Sequence, residues 1–100
     1  MKLSLIIFLA FTSSALPLYA ADPAAGKVKA ATCMACHGVN GISNNDMWPN
    51  LAGQKNGYLE LQMKAYQSGQ RKNAMMMPMV KGLTDADIEN IAIYYSTMAP

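Results

Sequence analysis

Cys33-Met34-Ala35-Cys36-His37 sets two thiols three residues apart, with an imidazole directly after the second. That pattern anchors a c-type haem. Each thiol adds across one vinyl group of the porphyrin, and a single turn of chain brings both sulfurs to the same ring edge. His37 then falls under the ring, facing iron. Other uses of a C-x-x-C pair fit less well. A structural zinc site needs a second ligand pair, whereas Cys33 and Cys36 are the only cysteines and His37 the only histidine. A thioredoxin-like dithiol belongs in a βαβ setting, and the chain has no strand-like Val/Ile/Thr alternation. A structural disulfide across so short a loop would constrain little of the unfolded chain.

A second chemical feature is Met75-Met76-Met77-Pro78-Met79, four thioethers in five positions. Pro78 lacks an amide donor and pushes Met77 toward an extended conformation, which predicts a loop here rather than the middle of a helix. A thioether is a soft ligand for iron opposite histidine, and His/Met ligation raises the reduction potential. Methionine also fills irregular gaps in cores, and both uses are expected among different members of the run.

Three helices are predicted to position these groups. The first opens at Asp22-Pro23, an N-cap residue followed by proline in the first turn, and runs through Ala-rich sequence into Cys33. A second starts near Asn56, with Leu59, Met63 and Tyr66 on one face, and stops at Gly69. The third opens at Thr84 with Asp87 three places on, as in a capping box, and presents Ile88, Ile91, Ala92 and Tyr95 on one face, which Met98 extends. Loops are expected over residues 38–57, around Trp48-Pro49, and over residues 70–82.

Residues 1–20 are expected to be a secretory signal peptide. Lys2 precedes an apolar run over residues 3–11, and a small-residue stretch ends at Ala20-Ala21. The expected cut follows Ala20, with Leu18 bulkier than the residue usually found three places before such a cut. An uncleaved anchor would need about 20 apolar residues, more than this run supplies. The mature chain, residues 21–100, is then a single domain of a size at which a protein-only core is marginal, so a buried haem would complete it. Basic residues exceed acidic ones by only two over the whole chain, eight against six. That offers no basic patch for nucleic acid.

The order of these elements resembles that of a class I cytochrome c, of the small single-haem periplasmic kind that is also similar to one half of bacterial di-haem cytochromes c. The resemblance rests on Ala25-Gly26, on Cys33-x-x-Cys36-His37-Gly38 and on Pro49-Asn50-Leu51-Ala52-Gly53-Gln54. Tyr58-Leu59, Gly69-Gln70-Arg71, and Leu83-Thr84-Asp85-Ala86-Asp87-Ile88 with Tyr94-Tyr95 extend it over nearly all of the mature chain. It implies an all-α fold of three main helices and loops wrapped around one covalently attached haem c. Cys33 and Cys36 would form the thioethers and His37 one axial ligand. The family crossing of first and last helices would set Gly26 against Tyr94 or Tyr95. The axial methionine of similar sequences stands seven residues before the leucine leading into the last helix, which here is Met76, with Met79 and Met77 as alternatives. The resemblance also implies that the Pro49 carbonyl accepts the imidazole Nδ1 proton. Arg71 and Trp48 are candidates to bond haem propionates, or else a solvated arginine and a core tryptophan.

An iron closed by histidine and methionine has no open position, so the expected function is one-electron transfer rather than catalysis. Expected donors are a membrane quinol-oxidising complex or a periplasmic dehydrogenase, and expected acceptors a terminal oxidase or reductase. The mature chain is not expected to insert in a membrane. Two readings compete. A Met-rich periplasmic copper-binding protein would use soft ligands for Cu(I), and a haem sensor or enzyme would have a displaceable sixth ligand.

Overall fold

The computed structural model describes residues 1–12 and 20–100. Residues 1–12 carry no helix or strand, and residues 13–19 of the expected leader, Leu18 among them, lie outside the described residues. Among the described residues no helix is long and apolar enough to cross a membrane. Among the described residues the secondary structure is helical: α1 (Pro23–Lys29), a 3-10 turn (Ala30–Thr32), α2 (Met34–His37), α3 (Asn56–Ser68), α4 (Met76–Val80) and α5 (Asp85–Ser96).

Local chemistry sets most of these boundaries. The Asp22 carboxylate accepts the Ala24 N–H at 2.9 Å and Pro23 occupies the first turn, where its missing N–H costs nothing. α3 ends where Gly69 takes the left-handed conformation, φ 80°. α5 opens on a complete capping box: the Thr84 hydroxyl accepts the Asp87 N–H at 3.1 Å, and the Asp87 carboxylate accepts the Thr84 N–H at 3.0 Å. Lys29 at the end of α1 approaches the same carboxylate at 3.7 Å.

The Asp87 carboxyl is thereby held below the usual aspartate range, chiefly by the Thr84 N–H, with the Thr84 hydroxyl and Lys29 adding to it. A depressed folded-state pKa gives stability that is complete above the ordinary aspartate value, about 3.9, and is lost as pH falls through the folded value. Denaturant melts should therefore show Asp87→Asn less stable than the parent at neutral pH, with the difference closing as the solution is acidified below that range. Thr84→Ala should cost about 1 kcal/mol.

α5 is the centre of the packing, with α1 across one side and α3 along another. The α1/α5 crossing is close because Gly26 has no side chain. A Cβ there would collide with the Asn90 carbonyl oxygen and stand 2.9 Å from the Tyr94 Cβ. Of the two expected aromatic partners, Tyr94 is thus the one met, together with the backbone of Asn90. Tyr95 turns inward, 1% exposed, in a core with Ala30, Leu59, Ile91 and Ala92.

Two expectations need correction. The first helix does not run unbroken into the cysteines: it tightens into the 3-10 turn at buried Ala30, where the Cys33 N–H bonds the Ala30 carbonyl at 2.8 Å, and restarts as α2. The methionine run is not simply a loop either, because Met76–Val80 forms the short helix α4 with Pro78 inside it. The proline is tolerated as the third residue of that helix, since first-turn N–H groups have no intrahelical partner to lose. Asn73 supplies the turn's cap, its Oδ1 accepting the N–H groups of Met75 at 2.9 Å and Met76 at 3.0 Å.

Candidate functional site

A residue and its neighbours three and four places on share one face of a helix. The turn from Cys33 into α2 therefore puts Cys33, Cys36 and His37 on one side. The His37 N–H closes this turn onto the Cys33 carbonyl at 2.9 Å, and Gly38 ends it at φ 90°. A side chain at Gly38 would strike the Ile42 carbonyl, so only glycine lets the chain double back here.

The segment from residue 38 to 55 is irregular but pinned. The Gly41 carbonyl accepts the N–H groups of Leu51 at 2.8 Å and Ala52 at 3.0 Å, and the Gly53 N–H reaches the Tyr95 carbonyl of α5 at 3.0 Å. These bonds hold Pro49 where its carbonyl accepts the His37 Nδ1 proton at 2.7 Å. A carbonyl can only accept, so Nδ1 carries the donated proton and Nε2 is the ring nitrogen left for a metal. That is how neutral imidazole is oriented as a metal ligand. The ring is 7% exposed and faces a cavity.

The cavity has a volume of about 690 Å³, within the range of small-molecule and cofactor sites. Cys33, Cys36 and His37 line it, and so do the core side chains Leu59, Ile91 and Tyr95, so whatever fills the cavity is packed as part of the core. Met75, Met76 and Met79 also line it, whereas Met77 does not. Of the three that do, Met75 is 54% and Met79 43% exposed, and Met76 is the more buried.

Arg71 and Trp48 are on the cavity wall. The Arg71 guanidinium lies 4.8 Å from the Tyr66 ring centre and donates to Gln62 Oε1 at 2.8 Å. It is neither free in solvent nor fully committed, with further N–H groups left over.

Cys33 and Cys36 are not joined as a disulfide. Burial pushes the Cys33 thiol above the ordinary range, helped by the charge of Cys36 and opposed by a hydrogen bond from the Thr32 side chain. Redox dithiols work with a lowered thiol pKa, and Cys33 is shifted the other way. Burial likewise raises the Tyr95 hydroxyl, with the charges of Cys33 and Tyr94 adding to it. That hydroxyl is buried and has no hydrogen-bond partner within the protein. A flat, largely apolar group tethered at two sulfurs and ligated by an imidazole fits this cavity. Haem c is such a group. One feature of the site had no sequence signal of its own: Tyr95 reads as an ordinary core position.

Fold and cavity together define a small all-helical protein built around a tethered planar cofactor. Residues 23–99 match the cytochrome c family model, and the chain belongs to the cytochrome c family. It is 52% identical over 81 residues to cytochrome c-554(548) of Halomonas halodenitrificans, covering 78% of this chain and 98% of that protein. It is 41% identical over 78 residues to a thiosulfate dehydrogenase electron acceptor of Thiomonas intermedia, covering 77% of this chain and 36% of that one. The crystal structure of reduced recombinant cytochrome c4 from Pseudomonas stutzeri superposes with a TM-score of 0.75 at 39% identity, over 80% of this chain and 47% of that chain. The chain thus spans nearly all of the first relative but less than half of the other two. It is an electron-transfer haem protein carrying covalently bound haem c, and these relatives do not favour a copper-binding protein.

Proposed function

We propose that this chain is a periplasmic one-electron carrier and not an enzyme, with Cys33 and Cys36 as the thioether anchors and His37 and Met76 as the axial ligands. In this reading residues 1–20 are a cleaved signal peptide and residues 21–100 the single working domain. The observation that carries it is one cavity lined by both thiols, by Met76 and by an imidazole whose Nδ1 proton is already committed to Pro49. Met76 is preferred over Met79 and Met75 because it is the least exposed of the three methionines of the 75–79 run that line the cavity, and Met77 does not line it.

Haem c supplies a one-electron Fe(III)/Fe(II) couple when bound. The protein's part is to hold and shield. Pro49 fixes the imidazole plane; Leu59, Ile91, Val80 and Tyr95 exclude water from the interior. Both effects tune the potential without any group changing place. Where the cavity meets the surface, Met47, Tyr58, Met75 and Met79 are exposed and mostly apolar. Such a rim suits brief docking of redox proteins through small interfaces. The Thiomonas relative, named as an electron acceptor of a dehydrogenase, supports a periplasmic dehydrogenase as donor; a quinol-oxidising complex is the other donor class, and a terminal oxidase or reductase the acceptor.

Reductive titration of the purified protein should consume one electron per chain, and the ferrous form should bind carbon monoxide only slowly at neutral pH. Rapid carbon monoxide binding would instead mark the displaceable sixth ligand of a sensor or enzyme.

A further inference from the structure

The segment that carries Met76 is too short to hold its own shape. α4 has five residues, far below the length at which a helix is stable alone, and its last carbonyls have no partners within it. The Val80 carbonyl accepts the Leu83 N–H at 3.1 Å, and one side chain from another element bonds it as well. Gln67, on the outer side of α3, donates from Nε2 to the Val80 carbonyl at 2.9 Å and to the Leu83 carbonyl at 2.8 Å. An amide nitrogen carries two protons, so both can be full bonds. Val80 is the last residue of α4 and is 2% exposed, while Leu83 immediately precedes the Thr84 cap of α5. Among the described residues no other hydrogen bond joins α3 to α4; the cap at its other end, Asn73, belongs to the same loop.

We infer that Gln67 is a positioning residue that latches the methionine segment onto α3 and so sets how often Met76 swings away from the cavity. The inference rests on Met76 being the axial ligand. Gln67 touches neither sulfur nor cavity, and its side chain is exposed. Its removal should leave core and cofactor in place and alter only the opening of the segment.

The test uses the ferric holoprotein with imidazole as an added ligand that enters only when the methionine leaves. In Gln67→Leu the near-infrared methionine–iron band should stay at its wild-type position without imidazole, while imidazole binds about tenfold faster, the scale expected for losing two partly exposed hydrogen bonds. Gln67→Glu, similar in size but with only acceptors at neutral pH, should behave like the leucine variant. Gln67→Arg, with N–H donors for both carbonyls, should restore the slow rate. Imidazole rates within about twofold of wild type in the leucine and glutamate variants overturn the latch. A glutamate variant as slow as wild type beside a fast leucine one overturns it too, since bond donation would then not be the cause. A wild-type protein without the band overturns the Met76 assignment and the latch with it; a normal band with unchanged rates overturns the latch alone.

Discussion

Met76→Leu should eliminate the near-infrared methionine–iron band completely while the haem stays covalently attached. Leucine fills nearly the same volume, so the cavity wall is kept and the change is confined to one lone pair. The ferrous form should then bind carbon monoxide rapidly, and the potential should fall by an amount on the order of tenths of a volt, within the ~0.8 V range that axial ligands control. Met79 and Met75 line the same cavity but are more exposed. If either replaces the lost ligand, the band returns shifted and the potential changes. A variant with both band and potential unaltered would show that Met76 is not the ligand. Met79→Leu, in contrast, should leave the band where it is.

The second large effect concerns the anchors. Cys33→Ser with Cys36→Ser removes both sulfurs at a cost of little volume, and no haem should then survive extraction with acidified organic solvent. The loss should extend to the fold. Leu59, Ile91 and Tyr95 belong at once to the core and to the cavity wall, and the domain is too small to build a second core elsewhere. The double variant should therefore show a large loss of helical circular dichroism along with the loss of colour. A colourless variant that kept the full helical signal and a cooperative melt would mean that the helices pack without the cofactor.

Much of this was legible from residue types because the signals are local. The turn from Cys33 to His37, the Thr84/Asp87 box and the stop at Gly69 each depend on residues within a few positions of one another, and the structure has all three. What was not legible depends on residues distant in sequence. The 3-10 turn at Ala30 arises as the chain passes α5 and turns its thiols toward the cavity. α4 forms around Pro78 because the nearby Asn73 caps it and Gln67, from α3, bonds its end; the steric rule for the residue before proline gave way to this combination of a local cap and a long-range bond. The division of labour between Tyr94 and Tyr95 follows from the rotation of α5, which sets one against Gly26 and the other in the cavity wall. A side chain such as Gln67, polar and on an outer helix face, carries no local sign that it reaches two carbonyls more than a dozen residues away.

The most direct measurement is the optical spectrum of the purified wild-type protein in both redox states, extended into the near infrared and repeated after carbon monoxide is added to the ferrous form. A closed His37/Met76 iron on covalently held haem requires a red protein, a methionine–iron band in the ferric state, and a ferrous spectrum that carbon monoxide does not rapidly change. A colourless protein, or a ferric state without that band whose reduced form takes up carbon monoxide at once, contradicts it.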